Sequence, residues 1–323
     1  MIRVGVIGYG YWGPNLVRNF AADPQADMAL VCDPQEDRCL TAQEAHEGLK
    51  SCRDAVQLIH DPNIDAVAIA TPVSTHFPLA KAALEAGKHV LVEKPITQTA
   101  AEAQQLIEIA ERNRCVLMVD HTYVYTAAVR KIKQLIDDGT LGDVLYYDSV
   151  RVNLGIFQHD VDVIWDLAVH DLAILDYLLD QKPVAVSACG KKHADNNTES
   201  LAFCTFFFDS DTIAHINVNW LAPVKIRRAL IGGNRKMIIF DDLEPSEKIR
   251  VYDKGVTYTE DPGQIYRRRV DYRIGDMHVP FLDRYEALQQ VVHHFLDCII
   301  HDKQPQTDGH MGLRIVHLLE AAS

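Results

Sequence analysis

Residues 2–13, Ile-Arg-Val-Gly-Val-Ile-Gly-Tyr-Gly-Tyr-Trp-Gly, decide the fold of the N-terminal part of this chain. A β-rich run leads directly into G-x-G-x-x-G, and residues 15–22 continue as a helix. Gly8 permits a tight turn, Gly10 lets the backbone approach a pyrophosphate, and Gly13 allows the helix to pack closely on the sheet. The helix N-terminus offers free N–H groups to the anion. The stretch therefore predicts a dinucleotide site. The predicted site also includes the residues between the glycines, Tyr9, Tyr11 and Trp12.

A second apolar run, residues 28–32, ends at Asp33. An acid at this distance from the glycines binds the ribose hydroxyls of NAD and repels the 2′-phosphate of NADP. The pattern therefore predicts NAD as the cofactor. Asp33 can also cap a helix that starts at Pro34, and the two roles are compatible.

Strands and helices go on alternating as far as residue 121. Apolar strands are predicted at residues 64–70, 90–92 and 116–119, with helices at residues 75–86 and 99–113 between them. The second helix starts with a capping box, Thr99 and Glu102. Alternation of this length indicates βαβ units. The fold class is α/β, and residues 1–121 are predicted to form a Rossmann domain with a doubly wound parallel sheet.

The pattern changes in residues 122–323, where strands follow one another with short polar turns. Helices are predicted at residues 127–137, 163–179, 285–301 and 309–322, with strands at residue 144–152 and repeatedly between 184 and 251. Successive strands with short links make an antiparallel sheet. We expect a second, α+β domain with an open, mostly antiparallel sheet that binds substrate and forms oligomers.

Composition excludes several functions. With 323 residues, 48% hydrophobic and 24% charged, the chain is long enough for about two globular domains. The net charge of -13 argues against a nucleic-acid partner, which requires a basic face. Seven scattered cysteines predict reduced thiols and no structural zinc. We find no signal peptide and no apolar run of about 18 residues, so we expect no membrane partner and a cytoplasmic location.

The apolar run of residues 90–92 stops at Glu93, Lys94 and Pro95. Such a strand end lies at the edge of an open α/β sheet where ligands bind. A lysine held partly out of water there becomes a strong hydrogen-bond donor or loses its proton near neutral pH. We therefore expect Lys94 to take part in chemistry. The alternative is a solvated lysine at a strand end.

Asp166 and His170 lie four residues apart on the helix predicted at residues 163–179, so they share one face. An aspartate beside an imidazole can orient the ring and hold its charged form, which a general base near neutral pH requires. A structural histidine is the alternative. No metal site is predicted, because no third or fourth ligand follows at a recognisable spacing.

The order of these motifs resembles the Gfo/Idh/MocA oxidoreductases, the family of glucose-fructose oxidoreductase and inositol dehydrogenase. The motifs are G-x-G-x-x-G, the acid, Thr71-Pro72-x-x-x-His76, Glu93-Lys94-Pro95 and Asp166-x-x-x-His170. The resemblance covers nearly the whole chain and implies a nicotinamide cofactor in the N-terminal domain and a substrate pocket walled by the C-terminal domain. It places Thr71, Pro72, His76, Glu93 and Lys94 at the cofactor, and Lys94, Asp166 and His170 at the substrate as catalytic residues.

This chain departs from the family pattern at two places. Ala168 replaces a glycine, and residues 121–125 replace an Asn-x-Arg-Phe segment, which argues against simple polyols as substrates. Residues 8–13, 120–125, 151–155 and 165–168 resemble the branch that acts on nucleotide-linked sugars. That branch implies oxidation of UDP-N-acetylglucosamine, or its uronic acid, at the 3-hydroxyl.

Three further residues, Tyr125, Arg151 and Asn153, are candidates for substrate binding. Arg151 and Asn153 are two apart on a strand, so they face the same side of the sheet. Two basic clusters, residues 225–228 and 267–269, are candidates for binding a diphosphate.

The predicted reaction moves a hydride from a sugar carbon to the nicotinamide while the hydroxyl loses its proton. His170 is the first choice for the base, with Lys94 stabilising the negative charge on the oxygen and Asp166 in support. The sequence leaves the reverse assignment of Lys94 and His170 open. The alternatives are an inositol or free-sugar dehydrogenase, a non-catalytic NAD sensor, and a glycosidase that recycles its NAD in each turnover.

Residues 200–240 carry apolar side chains on both faces of the predicted sheet in places. The bulky ones are Phe203, Phe206, Phe207 and Phe208. One layer of helices cannot cover both faces, and an exposed apolar face of this size marks an interface. We expect a homodimer or homotetramer.

Overall fold

The computed structural model describes residues 1–155, 161–193, 198–257 and 271–323, with only the backbone described for residues 254–257 and 271–274. Within these ranges the α-helices are α1 (Gly13–Ala22), α2 (Glu36–Ala45), α3 (Ala55–Ile59), α4 (His76–Glu85), α5 (Ala100–Asn113), α6 (Ala127–Asp137), α7 (Val169–Leu178), α8 (Ala287–His301) and α9 (Gly309–Ala322). The strands are β1 (Ile2–Ile7), β2 (Ala26–Cys32), β3 (Lys50–Cys52), β4 (Ala66–Ile69), β5 (His89–Glu93), β6 (Leu117–Asp120), β7 (Val144–Leu154), β8 (Ala185–Lys191), β9 (Leu201–Phe207), β10 (Ile213–Asn219), β11 (Leu221–Gly233), β12 (Met237–Asp241), β13 (Ile249–Thr257) and β14 (Asp271–His278).

The chain divides into two compact units. One unit comprises Met1–Thr126 with Tyr285–Glu320, and the other comprises Ala127–Arg284 with Ala321–Ser323. Among the residues described, no helix is both long and apolar enough to cross a lipid bilayer.

The first unit contains a six-stranded sheet in the order β3-β2-β1-β4-β5-β6, and its strand pairs are all parallel. Every residue of β4 is buried, as in a strand covered by helices on both faces. The strand order turns back between β1 and β4, so the carboxyl ends of these two strands flank the crevice where ligands bind in such sheets. The predicted Rossmann architecture is confirmed.

Helix α5 starts where its capping box predicts. The Thr99 hydroxyl accepts the Glu102 backbone N–H at 3.2 Å, and the Glu102 carboxylate accepts the Thr99 backbone N–H at 3.2 Å. Both donors belong to the first turn, where the helix offers them no partner of its own.

The helices after residue 284 pack within the first unit. The Phe295 ring of α8 meets the Phe20 ring of α1 edge-on at 6.4 Å, and Glu286 pairs with Arg18 at 2.6 Å. The Thr307 hydroxyl donates to the carbonyl of Val119 in β6 at 2.7 Å. The sequence analysis assigned all of residues 122–323 to the second domain. An apolar stripe shows that a helix is buried but not which sheet covers it, and these contacts therefore correct that assignment.

The second unit contains an eight-stranded sheet in the order β14-β13-β12-β11-β7-β10-β9-β8. The pairing of β10 with β7 is parallel, and the other strand pairs are antiparallel. Alternate residues of β9 and β10 are buried, which is the pattern of a sheet with one covered face. The predicted open, mostly antiparallel sheet is confirmed. Phe206 and Phe208 are buried, whereas Phe203 and Phe207 are 36% and 41% exposed.

Candidate active site

The glycine-rich turn between β1 and α1 has the shape that a pyrophosphate requires. Gly8 has a φ of 96°, and a Cβ on it would lie 2.4 Å from the Ala70 carbonyl oxygen. A Cβ on Gly13 would lie 2.1 Å from the Gly8 carbonyl oxygen. A Cβ on Gly10 would lie 3.6 Å from its nearest neighbour, Nη1 of Arg38. The turn itself requires the outer two glycines, and the open space at the middle one fits a dinucleotide phosphate.

Asp33 at the end of β2 is tied to this turn. Its Oδ2 accepts the backbone N–H of Tyr9 at 2.8 Å, and its Oδ1 accepts the backbone N–H of Gln35 at 2.9 Å. The Tyr9 ring is buried, so Tyr9 contributes to the turn through its backbone. Nη1 of Arg38 lies 3.4 Å from Asp33 Oδ2. The sequence analysis missed Arg38, which could have been found as a cation on the first turns of the helix that follows the acid.

Tyr11 and Trp12 are neighbours in the turn but differ in solvent exposure and in their contacts. Tyr11 is 94% exposed, and its ring stacks near that of Trp12 with centroids 6.3 Å apart. The Trp12 indole N–H donates to Oδ2 of Asp120 at 3.2 Å. The indole is thereby fixed to the end of β6, and only Tyr11 reaches freely into solvent.

The Thr71, Pro72 and His76 motif follows β4. Thr71 is half-buried and Pro72 is exposed, so both are open to a ligand at the strand end. His76 is 1% exposed, with Nδ1 2.8 Å from the Pro95 carbonyl and Nε2 2.9 Å from the Thr71 carbonyl. Burial lowers the pKa of His76, and the hydrogen bonds to the two carbonyls partly oppose this effect. A buried ring has no face left for the cofactor, and His76 instead links the two strand ends.

The ends of β5 and β6 bring two carboxyl groups together. Glu93 and Asp120 are paired across the two strands, and half-buried Lys94 follows Glu93. The Thr122 hydroxyl donates to Oδ1 of Asp120 at 2.6 Å. Burial raises the pKa of both carboxyl groups, that of Glu93 well above its usual range. The sequence analysis missed Asp120, although an acid at the carboxyl end of a parallel strand was a usable signal.

Asp166 lies in a π-helical turn, Ile164–Ala168, that runs into α7. The sequence analysis predicted one regular helix over residues 163–179, and the π turn corrects this, because its residues do not keep the spacing of an α-helix. Oδ2 of Asp166 accepts the indole N–H of Trp220 at 2.9 Å. Asp166 and His170 are half-buried while Leu167, Ala168 and Val169 between them are buried. Both polar side chains are therefore accessible to a ligand.

Arg151 is buried inside the second unit. Its Nε lies 2.5 Å from Oδ2 of Asp171, and the Tyr147 hydroxyl donates to Oδ1 of Asp171 at 3.2 Å. These three residues are each at most 4% exposed. Burial raises the pKa of Tyr147 well above its usual range, so the phenol remains a donor. A guanidinium in this position joins β7 to α7, which corrects its predicted role as a substrate contact.

Tyr125 is also buried, at 0% exposure. Its hydroxyl lies 3.2 Å from Oγ1 of Thr307, and its ring centroid lies 5.7 Å from that of His294. These contacts correct its predicted role in substrate binding, because its hydroxyl does not reach the surface. Asn153, near the end of β7, is half-buried and stays a candidate. Of the two basic clusters, residues 225–228 lie on β11, and residues 267–269 lie outside the described part of the chain.

Comparison with known proteins agrees with this architecture. The model of the oxidoreductase family with an NAD-binding Rossmann fold matches residues 2–121, and the model of the GFO/IDH/MocA C-terminal domain matches residues 129–239. The chain is 30% identical to the UDP-N-acetylglucosamine 3-dehydrogenase of Acidithiobacillus ferrooxidans over 98% of its length and 94% of that protein. It is 25% identical to the myo-inositol 2-dehydrogenase of Thermotoga maritima over 96% of its length and 92% of that protein.

A solved structure of the A. ferrooxidans dehydrogenase superposes on 99% of this chain and 95% of its own, with a TM-score of 0.83 and 27% sequence identity. The two family models cover most of the chain, and together with the glycine-rich turn they identify the cofactor as NAD. The chain belongs to the GFO/IDH/MocA family of NAD-binding oxidoreductases.

Proposed function

We propose that this chain is an NAD-dependent dehydrogenase that oxidises a secondary alcohol of a nucleotide-linked sugar, in the cytoplasm. The observation that carries the proposal is the carboxyl edge of the parallel sheet. Lys94 stands there at the end of β5, and β5 adjoins β4, the neighbour of the strand that enters the glycine-rich turn. An ammonium donor and a dinucleotide cradle at one sheet edge suit hydride transfer from an alcohol.

NAD supplies the hydride acceptor when it is bound. Within the chain, the outer glycines shape the phosphate cradle and Asp33 binds the adenosine ribose. Lys94 donates to the substrate oxygen and stabilises its growing negative charge. His170 accepts the hydroxyl proton, since imidazole changes protonation near neutral pH. Asp166, held by the Trp220 indole, orients the substrate or the imidazole.

The proposed substrate is UDP-N-acetylglucosamine, or its uronic acid, oxidised at the 3-hydroxyl. Support comes from the A. ferrooxidans relative, whose name states this substrate and position and which matches nearly the whole chain. Asn153 is proposed to bind the substrate. The myo-inositol 2-dehydrogenase relative favours a second candidate, an inositol or free-sugar dehydrogenase.

The test is NADH formation by the purified protein, followed by absorbance. UDP-N-acetylglucosamine, its uronic acid, myo-inositol and free N-acetylglucosamine are each supplied with NAD. We expect NADH with a nucleotide sugar and little with the others. If myo-inositol is the only one of the four that is oxidised, the protein is an inositol dehydrogenase and the proposed nucleotide-sugar substrate is wrong. A thermal shift on adding NAD, without turnover of any substrate, would favour a sensor. Cleavage of a glycoside without net NADH would identify a glycosidase.

The catalytic roles predict a second result. Lys94→Ala and His170→Ala should each lower kcat by about a hundredfold or more, the usual scale for a proton-transfer or oxyanion group. NAD affinity should stay close to that of the wild type, because neither side chain belongs to the phosphate cradle. Lys191→Ala, at an exposed lysine on β8, is the control for loss of a cation. Wild-type turnover in both catalytic variants would contradict the assignment.

A further inference from the structure

Trp12 joins two distant points of the first unit. Its backbone belongs to the glycine-rich turn after β1, and its indole N–H donates to Oδ2 of Asp120, at the end of β6, at 3.2 Å. In the order β1-β4-β5-β6 the ends of β1 and β6 are three strand spacings apart, which is about 14 Å. The contact therefore bridges the carboxyl ends of β4 and β5, and Lys94 follows the second of these strands.

Asp120 holds the indole in one direction. The acid is 2% exposed, and its other oxygen, Oδ1, accepts the Thr122 hydroxyl at 2.6 Å. Each oxygen of the carboxyl group thus has a side-chain donor of its own, and the two contacts together fix how the group is turned. The indole has a single N–H to donate, so its contact with Asp120 sets the direction of the ring.

Part of the indole remains open to a ligand. Trp12 is half-buried, and the Tyr11 ring lies beside it with centroids 6.3 Å apart and planes 20° from parallel. A half-buried indole that a buried acid keeps in place offers a flat, rigid, largely apolar surface. The mechanism given above uses neither Trp12 nor Asp120.

The topology of the sheet indicates which half of NAD this surface meets. The glycine-rich turn holds the pyrophosphate, and Asp33, at the end of β2, is proposed above to bind the adenosine ribose. In the sheet, β2 is on one side of β1, whereas β4, β5 and β6 are on the other. The nicotinamide half of the cofactor therefore extends toward β4, β5 and β6, which is the side that the Trp12 contact bridges.

We propose that the Trp12 indole is the wall of the cofactor site on which the nicotinamide ring of NAD packs, and that Asp120 is a positioning residue that holds this wall. Aromatic rings attract one another in offset or edge-on packing, and the nicotinamide ring of NAD is a cation, which the face of an indole also attracts. A fixed wall restrains the nicotinamide to few orientations, as hydride transfer requires. The proposal needs bound NAD but no substrate.

Tryptophan fluorescence tests the contact without turnover. The chain has three tryptophans, Trp12, Trp165 and Trp220, and the nicotinamide ring of NAD quenches an indole that it touches. ADP-ribose, which has the adenosine and the pyrophosphate but no nicotinamide, is the matched ligand. At saturation we expect NAD, but not ADP-ribose, to quench the wild type and Trp165→Phe. Trp12→Phe should show no quenching by NAD.

Three outcomes of this experiment would overturn the proposal. They are an absence of quenching by NAD in the wild type, equal quenching by ADP-ribose, and quenching by NAD that persists in Trp12→Phe. Titration calorimetry confirms that each variant binds both ligands at the concentrations used. Absence of turnover with every sugar would count against the proposed function alone, because no measurement here uses a substrate.

Calorimetry with the same two ligands measures the contribution of the wall. Trp12→Ala should weaken NAD binding by about twofold to tenfold, the usual scale of one aromatic contact, and leave the affinity for ADP-ribose unchanged. Equal weakening of both ligands would contradict a contact with the nicotinamide, because it would show that Trp12 acts only on the shape of the turn.

A double-variant cycle tests the positioning role of Asp120. Asp120→Asn leaves one acceptor oxygen for two donors, so the hold on the indole is loosened. Asp120→Asn should weaken NAD binding but not ADP-ribose binding, and it should have no further effect when Trp12 is already alanine. Equal effects with and without Trp12 would refute the positioning role. If Asp120→Asn does not fold, Asp120→Glu, which keeps both oxygens but displaces them by one methylene, takes its place in the same comparison.

Discussion

Asp33 is bound to the glycine-rich turn, and we propose that it also binds the adenosine ribose of NAD. Its carboxylate holds the backbone of the glycine-rich turn at Tyr9, and an acid at this place also binds a ribose. Asp33→Ala should weaken NAD binding by about tenfold to a hundredfold, since a hydrogen bond to a charged group contributes about 1.5–3 kcal/mol. The preference for NAD over NADP should narrow, because repulsion of the 2′-phosphate is lost. Titration calorimetry with both cofactors measures the ratio.

Arg38 is the matched variant for this experiment. It lies beside Asp33 and Gly10, where an arginine can bind a 2′-phosphate. Arg38→Ala should therefore weaken NADP binding more than NAD binding and widen the preference. Equal affinity of the wild-type protein for the two cofactors would contradict the role given to Asp33.

The raised pKa of Glu93, caused mainly by burial, predicts a pH dependence of stability. Because its pKa is raised in the folded state, the native protein binds more protons than the unfolded chain above about pH 4.3. The stabilisation of the folded state by this extra bound proton is therefore lost progressively as the pH rises from the ordinary pKa of a glutamate to the raised pKa of Glu93. The Glu93→Gln variant has no such loss. Its free energy of unfolding should therefore rise relative to that of the wild type by up to about 1.4 kcal/mol per pH unit.

Urea unfolding at several pH values between 5 and 8 measures this difference. In Glu244→Gln the difference from the wild type should stay constant over the same range, because Glu244 has a lowered pKa and is already ionised there. Parallel pH profiles for Glu93→Gln and the wild type would contradict the raised pKa of Glu93.

For single residues, the sequence predicted the position in the fold better than it predicted which side chains are in contact. Asp33 and Lys94 follow apolar runs, so their places at strand ends could be predicted. Arg151 was predicted to bind substrate because an arginine on a strand has no mark that distinguishes a ligand from a buried ion pair. Its partner Asp171 is on α7, and only the packing of that helix on β7 brings the two charges together.

Among the secondary-structure elements, β7 and α7 are joined by the buried ion pair of Arg151 and Asp171. Arg151→Met should destabilise the protein by about 3–5 kcal/mol, because it leaves the Asp171 charge buried without its cation. The double variant Arg151→Met/Asp171→Leu should recover part of this loss, because it removes the uncompensated charge but leaves the Tyr147 hydroxyl without its acceptor. The shift in urea midpoint measures both. Equal losses in the single and double variants would contradict a coupled pair.

The alternation of elements was predictable, and the π turn was not. Apolar periodicity and the capping box at Thr99 mark where helices and strands occur. A π turn widens a helix locally and leaves the apolar character of Ile164, Leu167 and Ala168 unchanged, so no pattern announces it. The placement of α8 also escaped prediction, because its contacts with α1 join residues far apart in the chain.

For the whole molecule, we propose that a second copy of the chain covers the exposed face of the eight-stranded sheet. Phe207 and Ile213 are paired across β9 and β10 and are 41% and 42% exposed, with Phe203 further along the same face of β9. The face alternates these apolar groups with polar ones such as His215, which suits a self-complementary contact. Light scattering should give a mass of two or four chains.

A double variant, Phe207→Glu/Ile213→Lys, should lower this mass, because charged groups in the centre of an apolar contact are costly to bury. Leu40→Lys, at an exposed apolar residue on α2, is the control and should leave the mass unchanged. A wild-type mass equal to one 36.3 kDa chain would exclude the assembly.

The first unit is discontinuous, since it needs both Met1–Thr126 and Tyr285–Glu320, while Ala127–Arg284 make up nearly all of the second. On the ribosome, the segment that emerges first must therefore wait for α8 before Phe20 gains its contact with Phe295. The intervening segment can fold earlier, as an uninterrupted stretch. During synthesis, this chain exposes the apolar surface of its cofactor domain longest, and that is the period in which chaperones have the most to bind.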